Sequence, residues 1–422
     1  MKCIISVCVI LLRFVTATIT SLLRFLTATY INNNKFFVKM KERLEEMNPW
    51  WKGHFEFESI KRPHYQEMLK SQLDRKDITI LTGIRRVGKT TLLKQLIEYL
   101  LKQKTESRHI LFVSLDLLYF RDFTIQDIIL EYKKIHKIPH GETVYLFLDE
   151  VAYKENFNQE LKNLYDLGKY VIYASSSSAR VLKDEKAFLT GRARYIEVDP
   201  LDFQEFLLFN GHDISKTDVP LLRGYFEDYM RLGGMPEYVL TKDPVYLSEL
   251  LELIISKDVL SSHDIKNRQI VYDLFRLLCE RVGKQVSYNK LANILGVDNE
   301  TVSRYISYFI DTFLFDMIEV KGKLNERIRG KKKLYCIDVG LRNVVTGFRD
   351  KGAVYENLVF NRIKRNKPNF LMRGGIEIDF IFANTLIEAK YGSELNDAQQ
   401  EVFDKIKVKN KIVARGMDFF LS

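Results

Sequence analysis

The segment ITILTGIRRVGKT, residues 78–90, decides the fold. Its first half is a run of apolar and β-branched residues of strand length; its second half brackets a loop between Gly83 and Gly88. TTLLKQLIEYLLK (90–102) follows with helical periodicity. A strand, a glycine-bracketed turn and a helix in that order form an anion cradle. Glycine permits the backbone N–H groups to turn inward, and the helix directs its positive end at the same point. Lys89 reaches the β- and γ-phosphates of a nucleotide, and the Thr90 hydroxyl is placed for magnesium. The expected ATP-contacting set is Gly83, Arg85, Arg86, Val87, Gly88, Lys89, Thr90 and Thr91. The bland alternative, a glycine turn with a solvated lysine, does not account for the flanking strand and helix.

Some 60 residues downstream, VYLFLDE (144–150) ends an apolar strand on two carboxylates. In open α/β sheets ligands bind beyond the carboxyl ends of the strands, where Asp149 and Glu150 fall. Asp149 is the expected magnesium ligand with Thr90. Glu150 is the residue to orient and deprotonate an attacking water. Apolar runs at HILFVSLDLL (109–118), YVIYASS (170–176) and YIEVDPL (195–201) add further strands between helical patterns. The expectation is a parallel sheet with helices on both faces. Ser175–Ser178 end the fourth strand; Ser176 is the candidate γ-phosphate sensor, a helix cap being the alternative. Arg192, with Arg194 behind it, is the candidate charge-neutralising arginine, a solvated turn being the alternative.

The 422 residues suffice for two or three domains, and 46% apolar with 28% charged is ordinary for a globular chain. A net charge of +10 suits a polyanionic partner. Cys3, Cys8, Cys279 and Cys336 lack metal-site spacing, which fits a reducing cytoplasm. Residues 1–39 contain no acidic residue and repeat LLRFVTAT (11–18) as LLRFLTAT (22–29). Arg13 and Arg24 interrupt them before a spanning length is reached. Two readings stand: a membrane anchor, or an over-extended start with translation from Met40 or Met47. The second is preferred, so a membrane is not an expected partner.

Beyond residue 206 the pattern becomes helical. SYNKLANILGVDNETVSRYISYFIDTF places Ala292, Gly296 and Val302 at helix-turn-helix spacing. KGKLNERIRGKKK (321–333) is dense in lysine and arginine where the wing of a winged helix falls. EIDFIFANTLIEAKYG reads as two strands about a turn at Asn384. Glu388 and Lys390 share one face, opposite Asp379.

The P-loop, LFLDE, SSSS, GR, PLDFQEF and RLGGMPEYVL (231–240) together resemble the prokaryotic, largely archaeal AAA-like ATPases with a carboxy-terminal domain of unknown function. The similarity runs from about Asn48 to the end. The resemblance implies an ASCE-type ATPase core with Glu150 as catalytic glutamate and Arg192 at the GR position. The family's TGSS segment is altered here, Ala174 and Ser175 standing for its Thr and Gly. Asp…Glu-x-Lys resembles the restriction-endonuclease-like arrangement. It would make Asp379 and Glu388 metal ligands and Lys390 catalytic, with Glu356 of the preceding helix as an additional acid and Gln399 on the helix that follows.

The expected architecture is α/β: an N-terminal extension and lead-in (1–47), a P-loop ATPase domain (48–215), a helical and winged-helix domain (216–335) and a nuclease-like domain (336–422). The expected activity is hydrolysis of ATP with Mg²⁺, coupled to DNA engagement in the cytoplasm, with a homo-oligomer as a further candidate. The rival from another class is a nucleotide-gated signalling switch whose C-terminal modules bind protein.

Overall fold

The computed structural model describes residues 39–53, 55–139, 141–179, 189–213, 218–263 and 265–421. The repeats at 11–29 and both N-terminal cysteines lie outside them. Among the described residues no helix is long and apolar enough to cross a membrane.

The first sheet has five parallel strands: β1 Ile78–Thr82, β2 Ile110–Ser114, β3 Val144–Asp149, β4 Tyr170–Ser176 and β5 Ala193–Glu197. Their order is β2-β3-β4-β1-β5, so β4 separates the glycine-loop strand from the strand ending in Asp149. Every residue of β1 is buried, as a central parallel strand covered on both faces must be. Ile78 and Ile80 join one apolar core and Leu81 the other. Helix α1, Lys89–Lys102, leaves the loop directly. Two expected strands are shorter than their apolar runs. β2 stops at Ser114 and Leu118–Phe120 curl into a single 3₁₀ turn; β5 ends three residues before Pro200.

A lead-in helix over 39–47 delivers Asn48, Trp50 and Trp51 to the outer edge of β2. The buried Asn48 amide donates to Phe112 O at 2.8 Å and accepts from Phe112 N–H at 2.7 Å. Both indole N–H groups donate to Ile110 O.

Helices then dominate to residue 279, as the periodicity indicates. Helix α2, Tyr288–Leu295, ends on Gly296 in the left-handed region (φ 66°), and α3, Asn299–Asp311, begins on an Asp298 cap. Leu291, Ala292, Val302 and Tyr305 are buried between them. Around this pair β6 Gln285–Val286, β7 Phe315–Ile318 and β8 Lys332–Cys336 form an antiparallel sheet in the order β6-β8-β7.

The chain closes on α4, Lys351–Ile363, and a four-stranded sheet, β12-β11-β10-β9. Here β9 is Asn369–Arg373, β10 Ile376–Phe382, β11 Thr385–Lys390 and β12 Asn410–Arg415. The turn between β10 and β11 is Ala383–Asn384, as expected.

The cuts at 215/216 and 335/336 do not separate cores. The second falls inside β8. One apolar cluster joins Leu201, Phe206 and Phe226 to Tyr355, Phe380 and Phe420. The glycines of RLGGMPEYVL explain this junction. A Cβ on Gly233 would lie 2.4 Å from Asp338 Oδ1, and one on Gly234 would lie 2.2 Å from Leu201 O. Side-chain-free backbone lets three distant segments cross at one point. Gly234 N–H donates to Asp338 Oδ2 at 2.6 Å, and its carbonyl accepts from Leu201 N–H at 2.7 Å.

Candidate functional site

The loop 83–88 closes over the carboxyl end of β1. Gly83 sits at φ 140° with Val198 O only 2.4 Å from where a Cβ would stand, so β5 can approach only a glycine here. Gly88, at φ 102°, is the N-cap of α1. Val87 is buried and Arg86 adopts φ 63° with its guanidinium near the Tyr246 ring. Lys89 is 4% exposed; its Nζ donates to Gly83 O at 2.9 Å and Ile84 O at 3.1 Å. Burial depresses its pKa, opposed by Glu150 and Asp149.

The Thr90 hydroxyl donates to Asp149 Oδ2 at 2.8 Å, uniting the two expected magnesium ligands across 59 residues. Burial raises the Asp149 pKa, opposed by hydrogen bonds from Ser175 and Thr90. Glu150 stands 3.8 Å from Lys89 Nζ and takes a left-handed backbone (φ 56°), a strained setting for a residue with a side chain. Its N–H donates to Ser175 Oγ at 3.0 Å. Its Oε2 accepts from Ser177 N–H at 3.0 Å and Ser177 Oγ at 2.9 Å.

The serine run is thus used with period two. Ser175 donates to Asp149 and Ser177 to Glu150. Ser176, the expected sensor, bonds within the run, to Ser178 O at 3.2 Å. Strand alternation points 175 and 177 at the acidic pair and 176 away.

Arg192 lies away from the loop of its own chain. Its carbonyl accepts from Ile78 N–H, at the amino end of β1 and the opposite sheet edge from the loop. Its guanidinium lies 3.5 Å from Asp166. It is not brought to its own chain's loop, and Arg194 pairs with Asp77.

A cleft of about 520 Å³ opens beside the loop. Arg86 to Thr91 and Glu150 contribute to its lining; Phe57, Phe209, Pro236, Leu240 and Tyr246 supply apolar surface, and Glu58, Arg62, Gln95 and Glu237 further polar groups. The motifs alone do not point to these side chains, although Pro236 and Leu240 sit in the quoted RLGGMPEYVL. Arg85 turns out of the loop and grips Asp258 with two bonds, 2.7 and 2.9 Å, adding Tyr153 Oη at 3.0 Å. Asp258 lies on a π-helical turn, Ile254–Leu260, a distortion frequent at functional sites. Beyond Ser177, Ala179 N–H donates to Asp311 O at 2.8 Å, the last residue of α3.

The C-terminal residues do meet. Glu388 Oε2 accepts from Asp379 N–H at 3.0 Å, and Lys390 Nζ lies 3.1 Å from Glu388 Oε1, with Gln399 at 3.3 Å. Lys333 belongs to the basic stretch expected to form a wing, but its side chain is 1% exposed and enters this cluster. Among the described residues no group of three or more His, Cys, Asp or Glu is arranged to hold a metal.

A family model described as an AAA domain matches residues 75–207, and one described as a domain of unknown function (DUF8612) matches 223–352. The uncharacterized protein MJ1544 of Methanocaldococcus jannaschii is 31% identical over 352 residues, covering 77% of this chain and 76% of that protein. The chain belongs to the family of MJ1544. An uncharacterized protein of Haemophilus influenzae also resembles it, 28% identical over 378 residues, with 83% of this chain and 91% of that one covered. The MJ1544 family thus has archaeal and bacterial relatives, and in this member an AAA domain carries the P-loop fold. AMPPCP-bound DnaA from Aquifex aeolicus superposes with a TM-score of 0.27 at 19% identity, covering 60% and 88% of the two chains, too distant to argue from.

Proposed function

We propose that this chain hydrolyses ATP at the Lys89–Asp149–Glu150 site and uses the nucleotide state to govern nucleic-acid engagement by a winged helix formed by β6, α2, α3, β7 and β8. The observation that carries this is the convergence of Lys89, Thr90, Asp149 and Glu150 beside a nucleotide-sized cleft, within the AAA match. Lys89 offers its ammonium to phosphate oxygens in exchange for two loop carbonyls. Thr90 and Asp149 are the pair to hold magnesium, which would supply charge neutralisation. Glu150, aimed by Ser177, orients a water and takes its proton. The apolar part of the cleft suits a base and ribose.

Two links support coupling. Arg85 joins the loop to the helical segment through Asp258, and Ala179 joins the serine run to the end of α3. The second reaches the winged helix directly, and the first reaches the helical segment that precedes it. The segment 321–331, which carries a short helix, Leu324–Arg329, in place of the expected wing hairpin, exposes Lys321, Lys323, Arg329 and Lys331 to phosphates. The test is ATP turnover by protein beginning at Met40, with and without Mg²⁺ and duplex DNA. Turnover stimulated severalfold by DNA supports the reading; DNA-indifferent turnover removes the coupling.

The signalling alternative has one observation in its favour. Leu324 and Ile328, one turn apart on the helix Leu324–Arg329, are 65% and 67% exposed. An apolar pair at the tip suits a protein partner.

A further inference from the structure

The cluster around Asp379 has the residue types of a metal-dependent nuclease, yet its centre is filled. Lys333 Nζ lies 2.7 Å from Glu356 Oε1, 2.7 Å from Glu377 Oε1 and 3.1 Å from Asp379 Oδ1. An ammonium has three protons, and here it meets three carboxylates. The carboxylates come from two elements, Glu356 from α4 and the i, i+2 pair Glu377 and Asp379 from one face of β10.

Most remaining oxygen positions are committed as well. Asp379 Oδ2 accepts from Ala389 N–H at 3.0 Å, and Glu377 Oε2 from Gln285 Nε2 at 2.7 Å. Glu356 Oε1 also takes the Tyr335 hydroxyl at 2.8 Å. Glu388 is satisfied by Asp379 N–H, Lys390 and Gln399. Magnesium requires near-octahedral oxygens at about 2.0–2.1 Å. This cluster does not fit that ion, because the shared focus of its carboxylates holds a lysine.

We propose that Lys333 is the built-in cation of the C-terminal cluster, replacing a divalent metal and making the C-terminal sheet a dock rather than a cleaving site. The cation comes from β8, the strand that directly follows the exposed basic segment 321–331. One side chain therefore fills the would-be metal position and fastens the winged-helix sheet to the C-terminal one. Lys390 is spent on Glu388, its partner in the cluster.

The test measures Mn²⁺ binding to nucleotide-free protein by calorimetry, comparing wild type, Asp379→Asn, Lys333→Ala and the double variant. Wild type and Asp379→Asn should bind Mn²⁺ indistinguishably. Removing Lys333 should create a new site at least tenfold tighter than any in the wild type, abolished in the double variant. Asp379-dependent Mn²⁺ binding by the wild type would overturn the proposal. So would a folded Lys333→Ala protein that gains no site. Should Lys333→Ala fail to fold, Lys333→Met with Glu377→Gln lowers the uncompensated charge and repeats the comparison. Independently, Fe²⁺/ascorbate cleavage of wild-type protein maps bound metal. No cutting near residues 377–390 is expected, and cutting there refutes the proposal without any variant. None of these readouts uses ATP, so they stand apart from the ATPase reading.

Discussion

Ser177→Ala isolates a member of the serine run that the motif itself does not single out. Ser177 is buried and gives Glu150 Oε2 two hydrogen bonds, from N–H at 3.0 Å and from Oγ at 2.9 Å. The substitution removes the second and leaves the first. A hydrogen bond to a charged acceptor contributes about 1.5–3 kcal/mol. The nearest cation to Glu150 is Lys89, 3.8 Å away. With one restraint removed, the carboxylate is expected to turn from the direction Ser177 sets, which misaims the proposed base while Lys89 keeps its bonds to the Gly83 and Ile84 carbonyls. At the lower bound of about 1.5 kcal/mol, kcat should fall about tenfold, since about 1.4 kcal/mol corresponds to a factor of ten. Affinity for ATP should change by less than about threefold, because Ser177 does not line the cleft. Steady-state kinetics with nucleotide-binding titration separates the two quantities. An unchanged or raised kcat would refute the reasoning, for it would mean that Ser177 parks Glu150 instead of aiming it.

Lys89→Ala should abolish detectable ATP binding while Glu150→Gln keeps ATP and loses turnover, read by nucleotide titration and steady-state ATP hydrolysis. Burial pushes the Asp338 carboxyl up to about 6, against backbone N–H groups that favour its charged form. A folded-state pKa above the ordinary 3.8 means this group's stabilising contribution is full at low pH and lost as pH rises through about 6. Denaturation midpoints across that window should fall in the wild type, and Asp338→Asn should remove that component of the slope. Asn48→Ala strands the N–H and C=O of Phe112 and should cost about 2–4 kcal/mol, measured by denaturant unfolding. Replacing Lys321, Lys323 and Lys331 by alanine should lower the log–log salt dependence of DNA binding by about 0.9 for each phosphate no longer neutralised. An unchanged slope would favour the protein-binding alternative.

The glycine loop and the acidic pair are legible because local order dictates them: a strand, two glycines and a helix permit little else. The helix-turn-helix is legible for the same reason, Gly296 being the turn and Val302 the anchor. What escapes depends on distance along the chain. The pairing of Arg85 with Asp258 spans 173 residues and that of Lys333 with Asp379 spans 46, and no periodicity reports such meetings. Lys333 is hidden by its neighbours, since a lysine run reads as a solvated surface until the strand's alternation turns one member inward. Ser176 cannot be told from Ser175 and Ser177 in advance, because four serines in a row carry no internal marker of face. Arg192 draws notice through its GR position, and β5 runs it to the wrong end of the sheet for its own nucleotide.

Asn48 has a consequence for how copies of this chain can meet. The outer side of β2 is the margin of a parallel sheet, and an exposed margin invites another strand. The amide of Asn48 bonds Phe112 as a strand neighbour would, and the two indoles cover Ile110. That margin is sealed by residues 39–52, which precede the ATPase fold proper. Any ring or stack of protomers must therefore be built from other surfaces. Proteolytic removal of this short lead-in would leave the Ile110 and Phe112 backbone groups open to pairing with a strand of another molecule.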